Sequence, residues 1–240
     1  MTTTLSLVYT SGCKFDRRYP ACLIDQVTEW YKPDQIALIT DDGSLGGDLE
    51  KMYGIPVHVY ASELPGFWAK LQLWSLPYER IVYIDLDSWI VGDISPLFET
   101  GPGCNPDLLN KHSTAVMVID PKSDEAKQMV EMSQLRRWYY SDQPMLDEVK
   151  PDYPYLPGHW ARSIKEIQSE WRCLWPEMPP GIGGRAWIPR NPVYDQTKRP
   201  MIVNFHGATA PHNTYALPSD APYWMYDALE RWWDCWNSMR

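Results

Sequence analysis

No stretch of the sequence approaches the ~18 unbroken apolar residues of a membrane-spanning helix. Its start, Met1-Thr2-Thr3-Thr4, has neither the basic residues nor the apolar core of a secretion signal. A soluble, cytoplasmic protein without a membrane span is therefore the expectation. Basic residues are in deficit as well: 22 Lys and Arg against 31 Asp and Glu leave a net charge of −9, the wrong sign for a partner gripped through its phosphates. Nucleic acid is not an expected partner. Cysteine is sparse, with Cys13, Cys22, Cys104, Cys173 and Cys235 widely scattered, odd in number and without a C-x-x-C pair. Neither a disulfide framework nor a zinc site is expected, and buried reduced thiols are the default. Phe is scarce too, at 4, whereas Trp numbers 13 and Tyr 15. Such rings fill a core or give a sugar or base a face to stack on. Most of the Trp, including Trp232 and Trp233, are read as core.

What is present is a globular composition, 44% hydrophobic and 22% charged, in 240 residues, enough for one sizeable domain with a core and a cleft. The first 100 residues alternate strand-like and helical stretches. Strands are expected at Leu5 to Thr10, Gln35 to Thr40, Ile55 to Tyr60 and Arg80 to Leu86; helical patterns run from Tyr19 to Tyr31, within Ser44 to Tyr53, and from Gly66 to Ser75. That alternation predicts an α/β fold with a mostly parallel central sheet and right-handed crossovers. Residues 101–240 are less regular and rich in Pro and Trp. They suggest a strand at Thr114 to Ile119, a helix from Ser123 to Trp138 with Ser123 as N-cap, a helix from Ser141 to about Val149, and a strand at Met201 to Phe205. A single domain over 1–240 is expected, with 1–100 as the ligand-binding half and 101–240 as an embellished second half.

The segment Ile81-Val-Tyr-Ile-Asp85-Leu-Asp87-Ser-Trp-Ile carries the chemistry. An apolar run ends in two carboxylates, and side chains alternate along a strand, so Asp85 and Asp87 are expected on one side of a strand end. Like charges held that close repel unless a cation neutralises them, which suggests an oxygen-preferring site for Mg²⁺ or Mn²⁺ carrying a diphosphate. An ordinary polar strand end is the alternative. Ligands of open parallel sheets bind beyond the carboxyl ends of the strands. Three such ends bear polar groups here: Thr10-Ser11-Gly12, Asp41-Asp42 and Asp85-Leu86-Asp87.

Taken in order, Lys70-Leu71-x-x-Trp74, Arg80 to Ile94, Ser113 to Asp120, Asp142-Gln143 and His206-Gly207 resemble the glycogenin-like glycosyltransferases of family 8, which have a GT-A fold. The resemblance implies a metal-dependent, retaining transfer of a sugar from a nucleotide-sugar, most often a UDP-sugar, to a carbohydrate or glycoconjugate acceptor. It implies Mn²⁺ rather than Mg²⁺, held by Asp85, Asp87 and His206, since an imidazole suits Mn²⁺ better. Thr10, Ser11 and Gly12 would surround base and ribose, with Asp85 also reaching the ribose. Lys70, Ser113, Thr114 and Gly207 would complete the donor site, and Asp142 with Gln143 would face the donor sugar as the catalytic pair. Plainer accounts remain beside each: a strand-to-helix turn for Thr10 to Gly12, a solvated lysine for Lys70, a helix cap for Asp142, a core or loop histidine for His206.

Two positions depart from the family. The late motif commonly reads H-x-x-G-x-x-K-P-W, and its lysine position is Ala210 here, leaving Arg185, Arg190, Lys198 or His212 as substitutes. Tyr139 stands where some relatives carry a further carboxylate. Trp160, Trp171, Trp175 and Trp187 are candidates to stack on an acceptor sugar. A nucleotidyltransferase is the competing enzyme, although Thr10-Ser11-Gly12-Cys13-Lys14 is a faint version of its Gly-rich loop. A non-catalytic sugar- or nucleotide-binding protein is the third possibility.

Overall fold

The computed structural model describes residues 2–11, 15–107, 112–134, 139, 141–163, 200–205 and 223–238. Six strands form the central sheet: β1 (Thr3–Tyr9), β2 (Gln35–Thr40), β3 (Val57–Ala61), β4 (Arg80–Ile84), β6 (Gly103–Pro106) and β7 (His112–Ile119), in the order β3-β2-β1-β4-β7-β6. The first four pair in parallel, and β7 runs antiparallel to both of its neighbours. A smaller sheet joins β5 (Ser88–Ile90), β9 (Ile202–Asn204) and β8 (Ala161–Ser163). The mostly parallel α/β sheet read from the sequence is the one observed.

Period two in the strands explains why the sheet is buried on both faces. Leu5, Leu7, Leu38, Val82, Ile84, Val116 and Val118 face one core. Their neighbours Ala37, Ile39, Ile81, Tyr83, Met117 and Ile119 face another. Strands clothed on both sides read as near-continuous apolar runs, as parallel strands under crossover helices do. On the first face lie α1 (Arg18–Trp30) and α6 (Tyr223–Ser238). Their contact is aromatic: Trp236 and Trp232 sit 5.3 and 6.0 Å, centroid to centroid, from Tyr19. These tryptophans are core, as expected. The second face is covered by a 3₁₀ helix, η1 (Gly66–Ser75), by α4 (Asp124–Ser133) and by α5 (Asp142–Val149).

η1 was expected as a helix and is one of tighter pitch. Its bulky residues Trp68, Leu71 and Trp74 recur every three positions and pack in the second core, which suits a helix whose residues three apart eclipse. Gly66 opens it at φ +56°, a backbone setting that costs glycine little. The remaining helices are α2 (Leu45–Tyr53) and the short α3 (Ser95–Glu99). Ser123 caps α4 as read from the sequence, its Oγ accepting from Ala126 N at 3.1 Å.

Two buried polar bridges hold these layers in register. His112, at the start of β7, has Nδ1 2.6 Å from Asp147 Oδ1 and Nε2 3.0 Å from the Tyr153 carbonyl, which docks α5 on the sheet. Gln26 of α1 accepts from Ile90 N at 2.9 Å and donates to the Cys22 carbonyl at 2.9 Å, joining α1 to the smaller sheet. Cys22 and Cys104 are buried free thiols. Among the described residues no helix is long and apolar enough to cross a membrane.

Gln26→Leu tests the second bridge. Leu fills similar space but leaves the Ile90 amide buried without an acceptor, so unfolding in urea should show a loss of about 1–3 kcal/mol. An unchanged midpoint would mean that the amide finds another partner.

Candidate functional site

A cavity of about 600 Å³ opens at the carboxyl ends of β1 and β4. Val8, Thr10 and Phe15 line it from the β1 side, Gly66, Phe67 and Lys70 from η1, and Tyr83, Asp85, Leu86 and Asp87 from β4 and beyond. Thr114 and Ala115 of β7, Ser141, Asp142 and Gln143 at the head of α5, and Phe205 after β9 complete the lining.

Lys70 is the centre of charge. Its Nζ lies 2.9 Å from Asp85 Oδ1 and 3.7 Å from Asp142 Oδ2, and it donates to the Thr114 carbonyl at 3.3 Å and to Thr114 Oγ1 at 3.5 Å. The side chain is only 10% exposed. Burial alone would lower the ammonium's pKa, but the charges of Asp142 and then Asp85 outweigh it and hold the group well above its ordinary value. Lys70 is therefore no solvated surface lysine. Its face of η1 follows from the pitch: Phe67 and Leu73 share the row of Lys70, with Leu73 buried below and Phe67 exposed at the rim.

The two D-x-D carboxylates reach the cavity by a route other than strand alternation. β4 ends at Ile84, and Asp85-Leu86-Asp87 forms a turn into β5. Asp85 N still donates to the Ala115 carbonyl at 2.8 Å, extending the ladder by one rung, while Phe205 N donates to the Asp87 carbonyl at 2.9 Å. Buried Leu86, meanwhile, joins the first core. A turn thus places both carboxylates on the cavity where a strand had been expected. Asp85 Oδ1 also accepts from the Tyr83 hydroxyl. Burial, followed by the nearby charge of Asp85, pushes that phenol well above its ordinary pKa, so it acts as a neutral donor. Among the described residues no hydrogen bond reaches Asp85 Oδ2.

Asp142 is the first residue of α5, and Ser141 holds the cap position without a side-chain cap bond. The helix-cap account of Asp142 is thereby corrected. Its Oδ2 is buried without a hydrogen-bond partner among the described residues, as is Ser141 Oγ beside it. The 3.7 Å approach of Lys70 is an ion pair and lies beyond hydrogen-bond reach.

Other expected residues are distributed unevenly. Thr10, Thr114 and Gln143 line the cavity. Ser113 does not: it is buried in β7, and its Oγ accepts from Ala115 N at 3.4 Å. Ser11 is exposed and engaged by Asp41, which accepts from Ser11 N and Oγ, each at 2.6 Å; these bonds hold the Asp41 carboxyl below its ordinary pKa. Asp42 likewise takes Arg17 at 2.8 Å. The end of β2 therefore ties loops together, and two of the three polar strand ends, not three, reach the cavity. Trp160 packs against the first core. Gly12, His206 and Gly207 lie outside the described residues, as do Trp171, Trp175, Trp187, Arg185, Arg190, Lys198, Ala210 and His212. Phe15, Phe67 and Tyr83 had escaped the sequence reading. An aromatic residue beside each polar motif was the available signal.

Two carboxylates of hard oxygen donors on one turn fit part of a shell for Mg²⁺ or Mn²⁺. Among the described residues no group of three or more His, Cys, Asp or Glu side chains is disposed to hold a metal ion. Phe205, which lines the cavity and bonds to the Asp87 turn, directly precedes His206 in sequence.

Lys70→Met keeps length but leaves Asp85 and Asp142 facing each other without a cation. Breaking a buried pair of this kind costs about 3–5 kcal/mol, to be read as a lowered denaturation midpoint at neutral pH. Because the folded ammonium titrates above the ordinary lysine value of 10.5, its contribution is complete below that pH and lost as pH climbs through the raised value. On raising the pH from neutrality, the gap between variant and wild type should stay constant and narrow only in strong alkali. A gap that narrowed near neutrality would contradict the ion-pair account.

No family model matches the chain. Inositol phosphorylceramide glucuronosyltransferase 1 of Arabidopsis thaliana is 27% identical over 135 residues, covering 50% of this chain and 25% of that protein. The chain thus spans about a quarter of the length of this curated relative. Among solved structures, the glycosyltransferase GlyE of Streptococcus pneumoniae TIGR4 matches with a TM-score of 0.68 at 13% identity, covering 99% of this chain and 62% of GlyE. Mouse xyloside xylosyltransferase 1, in its apo form, gives 0.50 at 12% identity, covering 86% and 97%. At these identities the likeness is one of fold, and the α/β fold with its mostly parallel central sheet is that of the GT-A glycosyltransferases.

Proposed function

We propose that the chain is a retaining, metal-dependent glycosyltransferase of the glycogenin-like family 8, taking its sugar from a UDP-sugar. The observation that carries this reading is the meeting of Asp85, Asp87, Asp142, Gln143 and Lys70 on one cavity at the carboxyl ends of β1 and β4. These residues come from a turn, a helix head and a 3₁₀ helix far apart in sequence, in the order of the family motifs. The glycosyltransferase fold and the Arabidopsis relative support the same class. No cation other than Lys70 lines the cavity among the described residues.

Within this proposal each side chain has a task. Asp85 and Asp87 hold a divalent cation, with His206 as the third ligand suggested by sequence. When bound, that cation supplies positive charge to the departing diphosphate. Thr10 and Phe15 at the end of β1 receive base and ribose. Lys70 holds Asp85 and Asp142 in place. Asp142 and Gln143 face the sugar, where the carboxylate favours positive character developing at the anomeric carbon. The bond from that carbon to the diphosphate oxygen breaks as the bond to the acceptor oxygen forms, and the acceptor's proton passes to the departing phosphate oxygen.

The direct assay is incubation with Mn²⁺ and a panel of UDP-sugars, with and without carbohydrate acceptors. Release of UDP is expected. Release of pyrophosphate from UTP and a sugar phosphate would instead indicate a nucleotidyltransferase, and binding without turnover a non-catalytic protein.

Asp87→Ala should remove the metal-dependent part of UDP affinity, about a hundredfold or ~2.7 kcal/mol, in calorimetry with and without Mn²⁺. Retained affinity would reduce the D-x-D to a structural turn. Asp142→Asn keeps the size of the side chain and removes its charge. Turnover should fall at least about tenfold, while UDP affinity stays within about twofold. Loss of UDP affinity in parallel would mean that Asp142 belongs to the nucleotide end of the cavity.

A further inference from the structure

We infer, resting on the donor-site reading above, that Ser141 is a sugar-binding residue whose Oγ hydrogen-bonds one ring hydroxyl of the UDP-sugar. The starting point is a serine at a helix cap that caps nothing. Ser141 precedes α5 in extended backbone, at φ −157° and ψ 173°, and its side chain makes no bond to a helix amide. Ser123 shows the ordinary arrangement in the same molecule, its Oγ accepting from Ala126 N three residues on. Three residues after Ser141 the chain has Pro144, which carries no N–H. One of the two amides that a cap serine normally takes is therefore missing. Ser141 lines the cavity instead, and its Oγ is buried without a hydrogen-bond partner among the described residues.

A second oxygen in the same state stands next in the chain. Asp142 is 6% exposed, lines the cavity, and leaves Oδ2 buried without a hydrogen-bond partner among the described residues. Buried polar atoms are ordinarily paired, so two consecutive residues of this kind on a cavity wall mark a place for a polar ligand. Their chemistry selects the group. As the ion-pair partner of Lys70, Asp142 offers a carboxylate, which accepts and does not donate. A phosphate oxygen also only accepts, so it would serve Ser141 and leave Asp142 Oδ2 as it was. Hydroxyls donate and accept, and those of one sugar serve both oxygens. In the reading above the diphosphate goes to the cation at Asp85 and Asp87, and the sugar to Asp142 and Gln143. The sugar is therefore the part that comes to Ser141. A ring hydroxyl is held alike before and during transfer, so losing this contact acts on affinity and KM more than on kcat.

The test is Ser141→Ala in the full chain, with Mn²⁺ and no acceptor. Displacement of a fluorescent UDP analogue gives the affinities of UDP and of whichever of UDP-glucose, UDP-galactose and UDP-xylose wild type binds most tightly. Monodeoxy forms of that UDP-sugar then locate the hydroxyl. The variant should bind the UDP-sugar about three- to tenfold more weakly, the worth of one hydrogen bond, and UDP itself within about twofold of wild type. Its melting temperature should not fall, because alanine removes a buried oxygen that bonds to nothing in the protein. One monodeoxy UDP-sugar should bind wild type as weakly as the parent binds the variant, and should lose nothing further in the variant. Unchanged UDP-sugar affinity would overturn the inference and leave the donor site intact. Equal weakening of UDP and UDP-sugar together with a lowered melting temperature would also overturn it, making Ser141 a structural residue. Failure of wild type to bind UDP or any of the UDP-sugars would remove the donor-site reading itself, and with it this inference.

Discussion

One buried ammonium organises the cavity wall. Lys70 projects from η1 to meet the turn after β4, the strand β7 through Thr114, and the head of α5 through Asp142. Each of these elements brings a polar group that would be costly to bury alone. Two carboxylates without a cation would repel, and burial without them would lower the lysine's pKa. Together they form a seam, one negative charge in excess, in which four elements share one fixed point. Asp87 stands on the same turn, adds its charge to those acting on Lys70, and its carbonyl accepts from Phe205 N.

How far the sequence revealed this depends on the kind of pattern involved. β2 was read at its observed bounds, Gln35–Thr40, because a run of apolar residues buried on both faces between Pro33 and Asp41-Asp42 has few other readings. α5 was legible from Ser141 onward. The pitch of η1 was not, since over ten residues a spacing of three cannot be told from 3.6 by counting apolar positions. β6, Gly103–Pro106, was missed because Gly-Cys-Asn-Pro contradicts strand propensity. Its glycine is explained only by tertiary contact, as a Cβ there would fall 2.9 Å from the Pro154 carbonyl.

Motif and geometry coincide at Thr10, Lys70, Asp85, Asp87, Thr114, Asp142 and Gln143, which the fold brings onto one cavity. Two other motif residues have local obligations instead. Ser11 answers Asp41, and Ser113 turns back to its own strand's backbone. The Asp-Leu-Asp pattern itself misled about mechanism of presentation. Strand alternation and a turn with a buried central Leu86 both bring the flanking carboxylates to one side, and the sequence does not distinguish them. Phe15 and Phe67 lie near polar motifs in the sequence, but only the cavity gives their rings a direction.

The engagement of Lys70 bears on the family lysine whose position is Ala210. A cation aimed at a leaving diphosphate must have its charge uncommitted to other groups as charge develops there. Lys70 is the cation that the described cavity offers, but its charge is held by Asp85 and Asp142 in a nearly closed setting. Drawing it toward phosphate would strand Asp142 as an unpaired buried carboxylate at the moment when the sugar needs that group in place. The two tasks are therefore incompatible for one side chain. On the proposed reaction, positive charge at the diphosphate must come from the cation at Asp85 and Asp87, or from basic residues such as Arg185, Arg190 and Lys198 in the stretch between β8 and β9. The cavity wall and the leaving-group charge are then separate constructions, the first complete around Lys70 and the second dependent on what that stretch and the metal supply.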